Sequence, residues 1–554
     1  MIAMTKYSIV ALALLLATVL FSHAEELIPK LKGVVIIPKA EDAKAGGRPG
    51  VIGVMVEGPD FLTNEKVAAE LKGFFGNPLT QADLARLQKE LVRLCRIEDH
   101  PIVDVVVPEQ EIVDGVIQIV VVAAKVGSVT VENEGQKHVP DENVLQAFNL
   151  KAGDDISADK MGVAADWFNR HPFRTVDIGY KQGAVGTSDI ILSVDDKKPW
   201  KFYSTFENMG TQALGKNQFA TGASWALPHD QDQIMSYQYR ADSHSTKLES
   251  HVLGYQYFLP SGHYLNLTGY YSDTSAAVDQ LFPGMSQKGE SWLGSLRYGL
   301  PLDQSPSYKP ELQFGFDFKK TDSNLLYGGE SVFALPTETL QFVATYLAKT
   351  QDQYGVGAYN IDAVWSPGDL TNYNEDVDFS RSSRSNSTAD YLYYRAGWGR
   401  NTTLPWGLNW AAQITAQYSE QKLPPAEQMG VGGYTSVRGY DERYVNGDSG
   451  IVVRNEIYLP PWKPLSLLGY DLESDRLRVL GFLDYGTIHL SNFEGGDEGL
   501  DNAGMAFNIA SYGWGLRYNL RENLAFRFDH GFQLSERHRT SSDSMAHFSL
   551  TLTY

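Results

Sequence analysis

The sequence predicts a mainly β protein: a 16-stranded transmembrane β-barrel preceded by two small α+β modules. Roughly 350 residues beyond Trp200 alternate apolar with polar or small residues, as strands do when one face meets lipid and the other a polar lumen. No apolar run after Glu25 is long enough for a membrane helix, and the mean hydropathy is below zero. Entry into a bilayer therefore requires a closed barrel, the other structure that satisfies every backbone group in lipid. Ahead of the alternating region, one order of elements occurs twice.

Residues 1–24 have a basic start at Lys6, an apolar run from Ile9 to Phe21 and a small-residue exit at Ser22-His23-Ala24. That pattern is a secretory signal peptide, too short in its apolar part to span a bilayer. Residues 25–50 lack periodicity apart from the strand-like Val34-Val35-Ile36-Ile37-Pro38. They end in a stretch holding Gly46, Gly47, Pro49 and Gly50, and are expected to be a lead segment and flexible linker.

A first module is expected over 51–124. It has a strand at Val51–Val56, helices at Thr63–Phe75 and Gln81–Ile97, and strands at Val103–Val107 and Val116–Val122 beyond the turn Asp114-Gly115. The spacing of Leu84, Leu87, Leu91 and Leu94 defines the second helix. Cys95, the single cysteine, follows Leu91 and Leu94 and is expected in the core. The second module, 125–197, repeats the order with Val126–Val131, Asp141–Phe148, Ala158–Asn169, Thr175–Tyr180 and Ser188–Val194.

The barrel is expected over 198–554. Leu312, Phe314, Phe316 and Phe318 alternate with Gln313, Gly315 and Asp317, and Leu524, Phe526 and Phe528 alternate with Ala525, Arg527 and Asp529. The Tyr- and Phe-rich apolar face favours lipid over the inside of a soluble sandwich, and about 22 residues per strand and loop leaves room for about 16 strands. Phe548, Leu550, Leu552 and Tyr554 share one face of a last strand that ends on an aromatic, which suits barrel closure at the interface.

A formal net charge of -20 argues against a surface that binds nucleic acid or anionic lipid. No zinc-protease, phosphate-loop or nucleophile-elbow motif is present. Gly447-Asp448-Ser449-Gly450 resembles a protease nucleophile segment but lacks the companion His and Asp order, and is expected to be turn chemistry. His244 and His251 are expected to be solvated, as are the acidic residues of Glu494–Asp501, so no metal, cofactor or catalytic residue is predicted.

One pair of charges stands out. On the strand Arg476–Gly486, parity turns Leu477, Val479, Leu483 and Tyr485 toward lipid, and Arg478, Leu480, Phe482, Asp484 and Gly486 into the lumen. Arg438 lies in a Gly-rich stretch too long for a hairpin loop. If that loop folds back into the lumen, its arginine reaches an inward carboxylate and the pair fixes the loop there.

These segments carry a family resemblance. Val107-Pro108-Glu109-Gln110 with Asp114-Gly115-Val116, Phe168-Asn169-Arg170-His171-Pro172-Phe173 and Gly186-Thr187-Ser188-Asp189 are similar to module ends of polypeptide-transport-associated (POTRA) domains. Val437-Arg438-Gly439-Tyr440 and the trio Phe482, Asp484 and Gly486 resemble the lumen-loop and partner-strand motifs of two-partner secretion transporters, the TpsB family. The resemblance implies an outer-membrane barrel with periplasmic POTRA domains that exports a large unfolded partner protein without ATP. It also implies a lumen-loop latch at Val437, Arg438, Gly439 and Tyr440. The expected partners are that secreted protein, bound by the POTRA domains, outer-membrane lipids, and the barrel assembly machinery for insertion, with the chain itself a monomer. A barrel-assembly insertase, which usually carries more modules, and a passive solute porin, which needs none, are the competing expectations. The family's plug helix is not predicted here, because the segment ahead of Val51 reads as a strand.

Overall fold

The computed structural model describes residues 26–133, 137–211, 213–228, 230–277, 285–327, 330–382, 384, 386–491, 506–534 and 543–554. The expected signal peptide and the acidic segment Glu494–Asp501 lie outside these residues. The chain divides into two compact units, one ending at Lys197 and one beginning at Lys198.

In the first unit, the segment 25–50 departs from the expected lead and linker. Gly33–Ile37 is a central strand, parallel to Gly53–Val56 on one side and to Val116–Ala123 on the other, with Val103–Val106 completing the sheet. The physical reason is its unbroken apolar run, which suits a strand buried on both faces. Val34 and Ile36 pack into the core with Leu71, Leu87, Leu91 and Leu94 of the helices Asn64–Leu71 and Gln81–Ile97. Val35 and Ile37 pack on the opposite face with Val116 and Val120, partly covered by Ala43 and Val51. The Gly- and Pro-containing stretch folds over that second face, where buried Gln118 accepts from the Lys44 backbone N–H at 2.9 Å and donates to the Lys44 carbonyl at 2.9 Å. The sheet of the first module thus takes in Gly33–Ile37 ahead of Val51, with Gly53–Val56 as its edge strand.

Ile36→Ala is expected to cost about 2–5 kcal/mol, because it opens a cavity under two helices. The measurement is the urea concentration at which the first module becomes protease-sensitive in the full-length protein. A linker residue would leave that midpoint unchanged.

Thr80 starts the long helix with a reciprocal cap: its hydroxyl accepts from the Asp83 N–H at 3.2 Å, and the Asp83 carboxylate accepts from the Thr80 N–H at 3.1 Å. Cys95 is buried in the core on this helix, and burial pushes its thiol up to about 11. Its thiolate population at neutral pH is thus well below that of an ordinary thiol. Maleimide is expected to leave Cys95 unmodified in the folded protein and to label it fully in urea; rapid labelling without denaturant would contradict the burial.

The second module matches the expected element order. Lys125–Asn133 lies parallel to Thr187–Asp196, which is antiparallel to the edge strand Arg174–Gln182, and helices Asp141–Phe148 and Ala158–Phe168 supply Val144, Phe148, Met161 and Phe168 to the core. In both modules a first strand runs parallel to the last one. That places Gly33–Ile37, and not Val51–Val56, as the counterpart of Lys125–Asn133.

The second unit is a closed barrel of sixteen antiparallel strands, from Trp200–Glu207 to Ser544–Thr553, and these two strands pair with each other. Phe206 sits opposite Leu550 and Ser204 opposite Leu552, while Tyr554 exchanges backbone hydrogen bonds with Phe202 at 2.8 and 3.0 Å. Phe202, Leu550, Leu552 and Tyr554 are exposed on the outside. On the inside, the hydroxyls of Thr205 and Thr551 meet at 2.9 Å. Every strand in the ring thus has two neighbours, and lipid meets no open edge.

Candidate functional site

The strand Asp475–His489 alternates as its parity requires: Leu480, Phe482, Asp484 and Ile488 are buried, whereas Val479, Leu483 and Tyr485 are exposed. Asp484 is fully buried inside the barrel. The chain between Asn409–Ser419 and Ser449–Tyr458 enters the lumen as a loop carrying a small hairpin, Met429–Val431 with Val445–Gly447.

Arg438, fully buried, meets Asp484 through three donors. Its Nε donates to Oδ2 at 2.7 Å, its Nη2 to Oδ1 at 2.8 Å, and its backbone N–H to Oδ2 at 3.2 Å. The two parallel side-chain bonds match the guanidinium fork to the carboxylate, a geometry that lysine does not offer. Nη1 donates to Glu456 at 2.6 Å and to Asp529 at 3.2 Å, and the guanidinium stacks 3.5 Å above the Phe482 ring. Each nitrogen of the buried guanidinium thus has a carboxylate acceptor.

The flanking motif residues fix the backbone on either side. Val437 is buried with Val431, Val452, Ile488 and Ile509. A side chain at Gly486 would place its Cβ 2.4 Å from Val431 and 2.9 Å from Val437, so glycine there makes room for the loop. Gly439 has φ +92° and lies against Gly531, with a built Cβ 2.9 Å from that residue's carbonyl carbon and oxygen. The Gly439 N–H donates to His547 Nε2 at 3.2 Å, and its carbonyl accepts from Gln533 Nε2 at 2.6 Å. The buried Tyr440 donates to the Ala510 carbonyl at 3.1 Å.

Parity identified the Asp484 pair, and the structure adds Glu456, Asp529, Gln533 and His547, which sequence reasoning missed. Asp529 already stood on the inward side of the Leu524–Asp529 alternation, so parity was the available signal. Its height along the strand relative to Arg438 is set by inter-strand register, which no single strand encodes.

The same loop is pinned at its base. Glu427 accepts from Lys319 Nζ at 2.6 Å and from the Tyr393 hydroxyl at 2.9 Å. Asp448, expected to be turn chemistry, is a fully buried carboxylate that accepts from Arg384 at 2.7 Å and from the backbone N–H groups of Ser491 and Leu423 at 2.8 and 3.1 Å. Contacts from Lys319 on the strand Tyr308–Tyr327 to His547 on the last strand stretch the loop across the lumen. His244 donates its backbone N–H to Asp242, and the His251 ring nitrogen bonds the Tyr237 hydroxyl at 2.8 Å. Among the described residues, no cluster of His, Cys, Asp and Glu is arranged to hold a metal.

Comparison with known proteins agrees with this architecture. Residues 186–518 match the family model described as haemolysin secretion/activation protein ShlB/FhaC/HecB, and residues 51–124 match the ShlB-type POTRA domain. The heme/hemopexin transporter protein HuxB of Haemophilus influenzae is 19% identical over 494 residues, 86% of this chain and 83% of that protein. The outer membrane transporter CdiB of Dickeya dadantii is 25% identical over 373 residues, 65% of this chain and 63% of that protein. The solved structure of CdiB from Escherichia coli superposes with a TM-score of 0.70 at 16% identity, covering 96% of this chain and 92% of that one.

Proposed function

Because this chain belongs to the haemolysin secretion/activation family ShlB/FhaC/HecB, it secretes a partner exoprotein across the outer membrane by two-partner secretion, and we propose how its parts divide that task. The barrel sits in the outer membrane and the POTRA domains in the periplasm. On our reading, the modules capture the unfolded partner by adding one of its strands to an open sheet edge, for which Arg174–Gln182 is available. The lumen then conducts the chain outward as a monomeric pore, inserted by the barrel assembly machinery. Arg438 and Asp484 act as a structural latch that holds the loop in the lumen, not as an acid–base pair.

The observation that carries the latch is the fully buried, bidentate Arg438–Asp484 pair on a loop that crosses the lumen. Net movement draws on folding of the partner outside, which removes the unfolded form at the exit. A partner variant unable to fold outside yet exported at the normal rate would sink that driving force. Co-expression with a candidate exoprotein and assay of the medium tests the export reading, with release expected only in cells that carry this chain.

A further inference from the structure

The turns at the periplasmic end of the barrel differ in character. Strand directions alternate and the first strand leaves the periplasmic modules at Trp200, which places the turns 260–263, 303–307 and 521–523 at that end, and these are short and polar. Two others, 404–408 and 459–474, are apolar. They adjoin, because Asn409 pairs with Tyr458, and a Cβ built on Gly407 lies 3.5 Å from the Pro460 ring. Trp406 is 89% exposed, Leu467 74%, Leu468 72%, Tyr470 62% and Trp462 50%. Trp406 also holds φ +62°, a left-handed conformation rare for a bulky residue. Exposed apolar side chains gathered in this way mark a surface that something else covers.

The surroundings of the longer turn identify what covers it. The hairpin ladder runs on past Tyr458: the Leu459 N–H donates to the Val479 carbonyl at 2.9 Å, and Trp462 and Leu477 exchange backbone hydrogen bonds at 2.8 Å. Ile457, Leu459 and Val479 are exposed on the lipid face of the two strands, so the turn continues that face. No charged residue occurs in 464–470, and the two that flank this run, Lys463 and Asp471, neutralise each other at 2.7 Å. The backbone around the short helix Pro464–Leu468 is satisfied from within. The Leu465 N–H donates to the buried Asp475 carboxylate at 2.6 Å, the Gly469 N–H to the Ser466 carbonyl at 3.1 Å and the Tyr470 N–H to the Leu465 carbonyl at 3.1 Å. An element that leaves water for lipid must close its backbone polar groups in this manner.

We propose that the turn 459–474 is a lipid-binding element whose Trp462, Leu467, Leu468 and Tyr470 insert into the phospholipid of the periplasmic leaflet. The leucines enter the boundary between headgroups and acyl chains to a depth of roughly 5–10 Å, and the two aromatic rings settle at headgroup level. The hairpin anchored in this way carries Glu456 and Asp484, which meet Arg438.

The test uses the full-length protein with Leu468→Cys in a Cys95→Ala background, labelled with an environment-sensitive NBD maleimide and reconstituted in vesicles of phosphatidylethanolamine and phosphatidylglycerol. Nitroxide carried on the lipid acyl chains is expected to remove at least about half of the emission from position 468, and dissolved iodide little of it. A probe at Lys151→Cys, exposed in the second POTRA domain, should show the reverse. With the probe moved to Tyr470→Cys, Leu467→Asp and Leu468→Asp together should raise quenching by iodide at least about twofold, because the leucines hold the turn in the leaflet. Heat-modifiable migration on gels confirms that each barrel is folded. A probe at 468 that iodide quenches as strongly as one at 151 shows a turn facing water and open to a protein partner, which overturns the proposal. Unchanged lipid quenching in the double aspartate variant overturns it as well.

Discussion

Arg438→Ala is expected to reduce release of the partner exoprotein by at least about tenfold while the amount of folded barrel in the outer membrane stays the same. Removing one member of a buried ion pair costs about 3–5 kcal/mol, since the remaining charge is left uncompensated in low dielectric. Here Asp484 and Asp529, both fully buried, lose a shared cation together with Glu456. Because each 1.4 kcal/mol is about a factor of ten, the equilibrium constant for docking the loop should fall by two orders of magnitude or more. The barrel persists because its closure runs through backbone ladders between strands, which do not involve the loop.

Trypsin added to intact cells provides a second readout. It should spare Arg443 in the parent chain and cut the loop in the variant. Arg438→Lys keeps the charge but loses the fork and should fall between the two. Full secretion by the alanine variant would remove the latch from the mechanism.

Gly439→Ala separates geometry from charge. The residue has φ +92°, a conformation that costs a non-glycine residue about 1–3 kcal/mol. The added methyl also lies 2.9 Å from the backbone of Gly531, which is held in the ladders of the last strands and has little room to retreat. All charged partners of Arg438 stay in place, so a loss of secretion approaching that of Arg438→Ala would mean that loop position, and not the mere presence of the ion pair, is what export requires. Gly531→Ala meets the same obstruction from the wall side, with a built Cβ 2.6 Å from the Gly439 nitrogen, and should reproduce the defect. Normal export by both variants would show that the contact is dispensable.

Several of these features are legible in the amino-acid sequence. Period-two alternation from Trp200 onward fixed which side chains face lipid, and with that the inward direction of Asp484 and the outward face of Phe548, Leu550 and Leu552. The helix over Gln81–Ile97 followed from its leucine spacing, and Thr80 supplies the cap that starts it. In the first module, the strand character of Val34–Ile37 is legible, but a four-residue apolar run does not say which sheet it joins or that it will be covered on both faces.

The sequence by itself determined the barrel, the paired modules and the two ends of the Arg438–Asp484 contact, because each depends on local periodicity or on a short motif. Only the tertiary structure decided that Glu456, Asp529, Gln533 and His547 converge on the same loop and that Asp448 is a buried pin. Parity tells which face a residue occupies. Its height on the strand and its position around the ring are set by inter-strand register and by closure of the last strand on the first, which no local stretch of chain encodes.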